Sequence, residues 1–177
     1  MLRYLLPAFA SLMLLGPTAA VAQDEPIVIY LVRHAERVDD EVGFDAGSTD
    51  DPAISTVGQE RAQLLETMLA DAGLTQIHST DLNRTRMTGQ PTAEAAGLGI
   101  ELYNPRDLPG FADRLRHMPG RHLVLGHSNT TPELVAALGG EPGSPIEEME
   151  YDRLYVVTLF GGTASTVLIR FGRLYEG

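Results

Sequence analysis

The sequence predicts an α/β three-layer sandwich, a mostly parallel central sheet with helices on both faces and an antiparallel hairpin at one edge. Three observations predict it. Short apolar runs rich in β-branched residues alternate with longer stretches of helical periodicity, the pattern of strands joined by crossover helices. The last two apolar runs, Arg153 to Phe160 and Ala164 to Phe171, are separated only by Gly161-Gly162-Thr163, a spacing that makes a hairpin. From Gln23 to Gly177 there are about 155 residues, enough for one domain with a sheet covered on both sides.

Before that domain, Met1 to Ala22 has one early charge (Arg3), an apolar stretch from Tyr4 to Leu15, the breaker Gly16-Pro17 and then Ala20-Val21-Ala22. This is the pattern of a cleaved signal peptide, residues 1–22, which sets residues 23–177 apart as one mature domain that is periplasmic or secreted. The apolar stretch is short for a membrane span and is broken by proline, so stable membrane insertion is not expected.

The elements follow in order. Ile27 to Val32 reads as the first strand. Val38 to Pro52, rich in Asp and Gly, reads as a long loop, and a helix runs from about Ser55 to Ala72. A short strand at Thr75 to His78 precedes a helix from about Leu82 to Ala96, with Asp81 placed to cap it. Ile100 to Tyr103 is a strand, Asp107 to His117 a helix, His122 to Leu125 a strand and Thr131 to Leu138 a helix, ahead of the final hairpin. There is no internal repeat and no low-complexity linker.

Composition removes several chemistries. Thirteen basic residues stand against 24 acidic ones, a net charge of −11, which repels nucleic acid and anionic lipid. The chain has no Cys and no Lys. Thiolate nucleophiles, disulfides and Schiff-base lysines are therefore excluded, and any anion must be gripped by Arg.

In a parallel sheet ligands sit beyond the carboxyl ends of the strands, so the informative residues lie where an apolar run turns polar. Ile27 to Val32 runs into Arg33-His34-Ala35-Glu36-Arg37, and Leu123 to Gly126 runs into His127-Ser128-Asn129-Thr130-Thr131-Pro132. Arg84, in the first turn of the helix after His78-Ser79-Thr80-Asp81, comes to the same rim, and the helix start near Thr131-Pro132 offers backbone N–H groups to an anion. Two guanidiniums can hold a phosphoryl group while a neutral imidazole attacks phosphorus and a second imidazole donates to the phosphoryl oxygens.

Here Leu31-Val32-Arg33-His34-Ala35-Glu36 resembles the signature of the histidine phosphatase superfamily, which includes phosphoglycerate mutases and small bacterial phosphohistidine phosphatases. Asp51-Pro52-Ala53-Ile54-Ser55 with Gly58 and Arg61-Ala62, Ser79 to Thr88, and Gly126 to Thr130 resemble that family's later segments, in the same order. The absence of a cap insertion resembles its small exported phosphatases. The resemblance implies a phosphohistidine on His34, phosphate binding by Arg33, Arg84 and His127, and no metal or cofactor. The partner it implies is a small phosphorylated substrate or phosphate; neither the leaving group nor an oligomeric state is specified by the sequence.

The family's leaving-group acid has no direct counterpart, because Ser128 and not an Asp follows His127. Asp107 lies in the corresponding segment, with Glu36, Asp39, Glu150 and Asp152 as rivals. The other polar residues carry blander expectations. His78 reads as a satisfied strand-end group, His117 and His122 as surface residues, Arg86 as a helix-face partner of Glu94, and Arg37 as solvated. Two rival functions remain. One is a phospho-ligand binder without turnover. The other is an esterase using Ser128, although position 130 is Thr where a nucleophile elbow has Gly.

Overall fold

The computed structural model describes residues 25–42 and 50–177, so the expected signal peptide at 1–22 lies outside the described residues. The elements are β1 (Ile27–Arg33), α1 (Val38–Val42), α2 (Thr56–Leu69), β2 (Gln76–Ser79), α3 (Asn83–Ala96) and β3 (Ile100–Leu102). They continue with α4 (Leu108–Arg116), β4 (Arg121–Gly126), α5 (Thr130–Ala137), β5 (Arg153–Phe160) and β6 (Thr163–Arg170). One six-stranded sheet has the order β3-β2-β4-β1-β5-β6. The four strands from β3 to β1 are parallel to one another, whereas β5 is antiparallel to β1 and β6 to β5. The predicted fold class is the one observed.

Side-chain alternation along each strand splits the core in two. Ile29 and Leu31 of β1, Val124 of β4 and Tyr155 and Val157 of β5 pack against α4 and α5 on one face. Val32, Leu123, Leu125 and Leu154 pack against Leu65 and Leu69 of α2 and Ala93 of α3 on the other. Strands buried on both faces read as continuous apolar runs, which is why β1 and β4 stand out in the sequence. Gly161 and Gly162, with φ of 58° and 77°, make the two-residue β5–β6 turn, a conformation that side chains with a Cβ resist.

Local corrections bear on the site. The stretch expected to be all loop after β1 begins instead with helix α1, and its neck is pinned by a bridge between Arg37 and Ile54. Asp81 does not cap α3. Leu82 holds the N-cap position without a side-chain bond, and Asp51 reaches across from the loop to accept the Asn83 N–H at 2.8 Å. Ser55 caps α2 by accepting from the Gly58 N–H, and a Cβ at Gly58 would stand 2.3 Å from the Glu36 carbonyl oxygen. Glycine is thus what lets α2 start directly against the polar segment after β1.

Candidate active site

β1 and β4 are adjacent and parallel, with Arg33 opposite Gly126, so the residues following each strand leave the sheet together. The His34 N–H donates to the Gly126 carbonyl at 2.9 Å, and the His34 and His127 rings meet edge to face with centroids 5.4 Å apart. His34 is buried, 3% exposed, and its Nδ1 lies 2.8 Å from the Ala35 carbonyl oxygen. A carbonyl can only accept, so Nδ1 carries the proton and Nε2 keeps its lone pair. Burial, reinforced by Arg33, His127 and Arg84, pulls the His34 pKa down to about 2, which keeps the imidazole neutral.

His127 is fixed by a chain of hydroxyls. The Thr85 hydroxyl donates to the backbone carbonyls of Leu82 and Thr80, so it accepts from Thr80 at 2.9 Å. Thr80 Oγ1 has then spent its proton and accepts from His127 Nε2, also at 2.9 Å. The neutral His127 therefore carries its proton on Nε2, and Nδ1 donates only after a second proton arrives. Burial, followed by Arg84 and Arg33, holds its pKa at about 4. A bound phosphoryl dianion would raise that value and turn Nδ1 into a donor.

The guanidiniums are posed and incompletely satisfied. Arg33, 7% exposed, donates through NH1 to the carbonyls of Glu147 (2.8 Å) and Glu150 (3.1 Å), with its Cζ 4.1 Å from the centre of the Tyr151 ring. Its Nε is buried with no hydrogen-bond partner, and so is Nε of Arg84. Arg84 NH1 lies 3.6 Å from Asp51, beyond hydrogen-bonding reach. Tyr151 was not anticipated from the sequence. It supports Arg33, lies 5.9 Å from the His34 ring, and donates its hydroxyl to Asp40 at 2.6 Å.

The other residues singled out in the sequence fall in different places. Asp107 is exposed and accepts from the Gly110 N–H as the cap of α4. Its carboxylate is spent on that cap at the surface, so this placement does not support it as the acid. Glu36 is held by Arg61 (Nε and NH2, 2.7–3.0 Å), Glu150 by Arg153 and Arg170, and Asp152 by Arg170 and the Tyr175 N–H. Asp39 differs. It is 6% exposed, and its Oδ1 has no hydrogen bond, because the nearby Arg37 Nε (3.2 Å) sends its one N–H to Asp40.

Arg37 is engaged by Asp40, and Arg86 pairs with Asp81 and Asn83, not with Glu94. His117 is exposed as expected, but His122 is fully buried and pairs with His78. Ser128 has no described contact with a histidine that could activate it.

Together the fold and the rim residues define an α/β protein whose sheet rim gathers two arginines with unpartnered Nε–H groups around a neutral histidine. A model of the histidine phosphatase superfamily (branch 1) matches residues 29–107, which takes in β1, Arg33, His34 and Arg84. The probable phosphoglycerate mutase GpmB of Escherichia fergusonii is 37% identical over 78 residues, 44% of this chain and 35% of the mutase. Its counterpart in Yersinia enterocolitica is 35% identical over the same length. The match thus spans about a third of those relatives.

Among solved structures, the protein histidine phosphatase SixA complexed with tungstate superposes with a TM-score of 0.65 at 18% identity, covering 81% of this chain and 96% of SixA. The alpha-ribazole phosphatase of Shigella flexneri gives 0.63 at 15% identity, covering 85% and 99%. The fold is that of the histidine phosphatases. The family model matches less than half of the chain, and at these identities the solved structures show the fold alone.

Proposed function

We propose that this chain is a phosphomonoester hydrolase that passes the phosphoryl group to His34 and then to water without a metal ion, Arg33, Arg84 and His127 holding its oxygens. The observation that carries this reading is the pair of buried, unpartnered Nε–H donors of Arg33 and Arg84 beside a neutral imidazole. An unsatisfied buried donor costs about 1–3 kcal/mol, and a tetrahedral oxyanion supplies the missing acceptors.

His34 Nε2 attacks phosphorus as the bond to the ester oxygen breaks, and that oxygen leaves with a proton. Water then attacks the phosphohistidine, the N–P bond breaks, and phosphate departs. Negative charge spread over the phosphoryl oxygens in each transition state is met by the guanidiniums and by His127. We assign the proton transfers to Asp39, the rival carboxylate with a buried oxygen free of hydrogen bonds. It also lies close enough to Arg84 to act on its charge.

The test is p-nitrophenyl phosphate hydrolysis in the presence of a chelator, with rapid quench into alkali. Turnover with an alkali-stable, acid-labile phosphoenzyme that is lost in His34→Ala supports the reading. Vanadate binding without turnover on a panel of phosphate esters replaces it with a phospho-ligand binder. Asp39→Asn should lower kcat more for alkyl phosphates, whose oxygen needs the proton, than for p-nitrophenyl phosphate. Equal loss on both substrates removes Asp39 from the proton path.

A further inference from the structure

Two buried threonines stand behind His127. Thr80 and Thr85 are 1% and 0% exposed, so their hydroxyl protons go to protein acceptors. The Thr80 backbone is fixed on both sides, its N–H on the Leu125 carbonyl and its own carbonyl accepting from the Leu82 N–H. The Thr85 hydroxyl, in the first turn of α3, reaches the Leu82 carbonyl at 2.8 Å, an oxygen that can only accept. One polarity then runs through the row: Thr80 donates to Thr85, and His127 Nε2 donates to Thr80. The neutral His127 ring is left with a lone pair on Nδ1.

The charged and titratable groups that face this ring come from three other elements. They are Arg33 and His34 from β1 and its end, Arg84 from α3, and Asp51 from the loop before α2. Burial, Arg84 and Arg33 keep the free ring neutral at pH 7, and Asp51 acts against them. An oxyanion drawn in by the two guanidiniums therefore meets a lone pair at Nδ1, which repels it until a proton is added.

Resting on the phosphatase reading above, we infer that Thr85 and Thr80 are positioning residues that couple the binding of a doubly charged oxyanion to the uptake of one proton on His127 Nδ1. The proton comes from solvent, bonds to Nδ1 and is shared with an oxygen of the anion; no other bond forms or breaks. Thr85 acts through Thr80, by holding the Thr80 proton away from Nε2.

The test is titration calorimetry with tungstate, fully ionised at pH 7, in two buffers of different ionisation enthalpy, which counts the protons taken up per anion bound. Wild type should take up about one. Thr85→Val frees the Thr80 proton to turn toward Nε2, so the neutral ring carries its proton on Nδ1 and uptake should fall below about half a proton. Thr80→Val removes the acceptor itself and should lower uptake in the same way, a second reading through a different side chain. Thr85→Ser keeps the hydroxyl row and should return uptake to the wild-type value. Tungstate bound by wild type without proton uptake, or uptake equal in wild type and the valine variants, overturns the inference while the phosphate pocket stands. Failure of tungstate to bind wild type overturns the pocket itself, and the role of the threonines with it.

Discussion

The molecule contains two histidine pairs of nearly the same spacing, with only His127 among the four rings less than fully buried, and the proposed function gives the pairs opposite roles. His34 and His127 lie 5.4 Å apart, and His78 and His122 5.5 Å apart. Both pairs lose basicity mainly through burial; the pKa values of His78 and His127 both stand at about 4. The partners differ. His122 Nε2 donates to the Met118 carbonyl, so its Nδ1 accepts from His78 Nε2 at 3.3 Å, and the pair closes on itself beside Phe111. The other pair is surrounded by guanidinium donors that lack acceptors. Burial and a depressed pKa therefore do not distinguish the proposed nucleophile from a structural histidine here; unmet hydrogen-bonding capacity around it does.

The largest break in this comparison is His34→Ala, which should abolish the phosphoenzyme and lower turnover by at least ~10³-fold by stopped-flow assay. Its melting temperature should change little. Next comes Arg33→Ala or Arg84→Ala, each expected to lower kcat/KM by about 10²–10³-fold and to weaken vanadate binding.

The structural pair should behave in the reverse sense. His122→Ala strands the buried His78 N–H and should cost about 1–3 kcal/mol in urea unfolding, with kcat/KM within about twofold of wild type. A loss of activity without loss of stability would erase the distinction between the pairs.

The smallest effect is in pH dependence. His78 has a folded pKa of about 4 against 6.5 when unfolded, so the unfolded chain binds more protons between those values. The stability tied to a neutral His78 is complete above pH 6.5 and is lost as pH falls toward 4. The double variant His78→Phe, His122→Leu should therefore have a shallower fall in stability over that window, measured by urea melts at stepped pH. An unchanged slope would mean that the acid sensitivity lies elsewhere.

What could be read in the sequence was what neighbours along the chain determine. The apolar run of β1 ending at Arg33-His34 and that of β4 ending at Gly126-His127 place both histidines on one rim, and strand alternation with crossovers gives the layers. What escaped depends on distant partners. His122 reads as a surface residue because Gly120-Arg121 precede it, yet pairing of β4 with β1 and β2 seals it completely. Asp81 is a good local cap for α3, but Asp51 reaches the same N–H from another segment. Tyr151 stands outside every motif and enters the site only because β5 returns antiparallel to β1.

That return has a consequence for how the molecule comes to exist during synthesis. β1 carries the proposed nucleophile at its end, but Val28 must wait for Arg121 on one side and Thr158 on the other before either edge is covered. The ribosome thus releases the most apolar strand well before its neighbours, and non-local pairing of this kind is slow and leaves sticky edges bare. Reactivity and soundness of folding are therefore completed by the same late step, the arrival of the C-terminal hairpin.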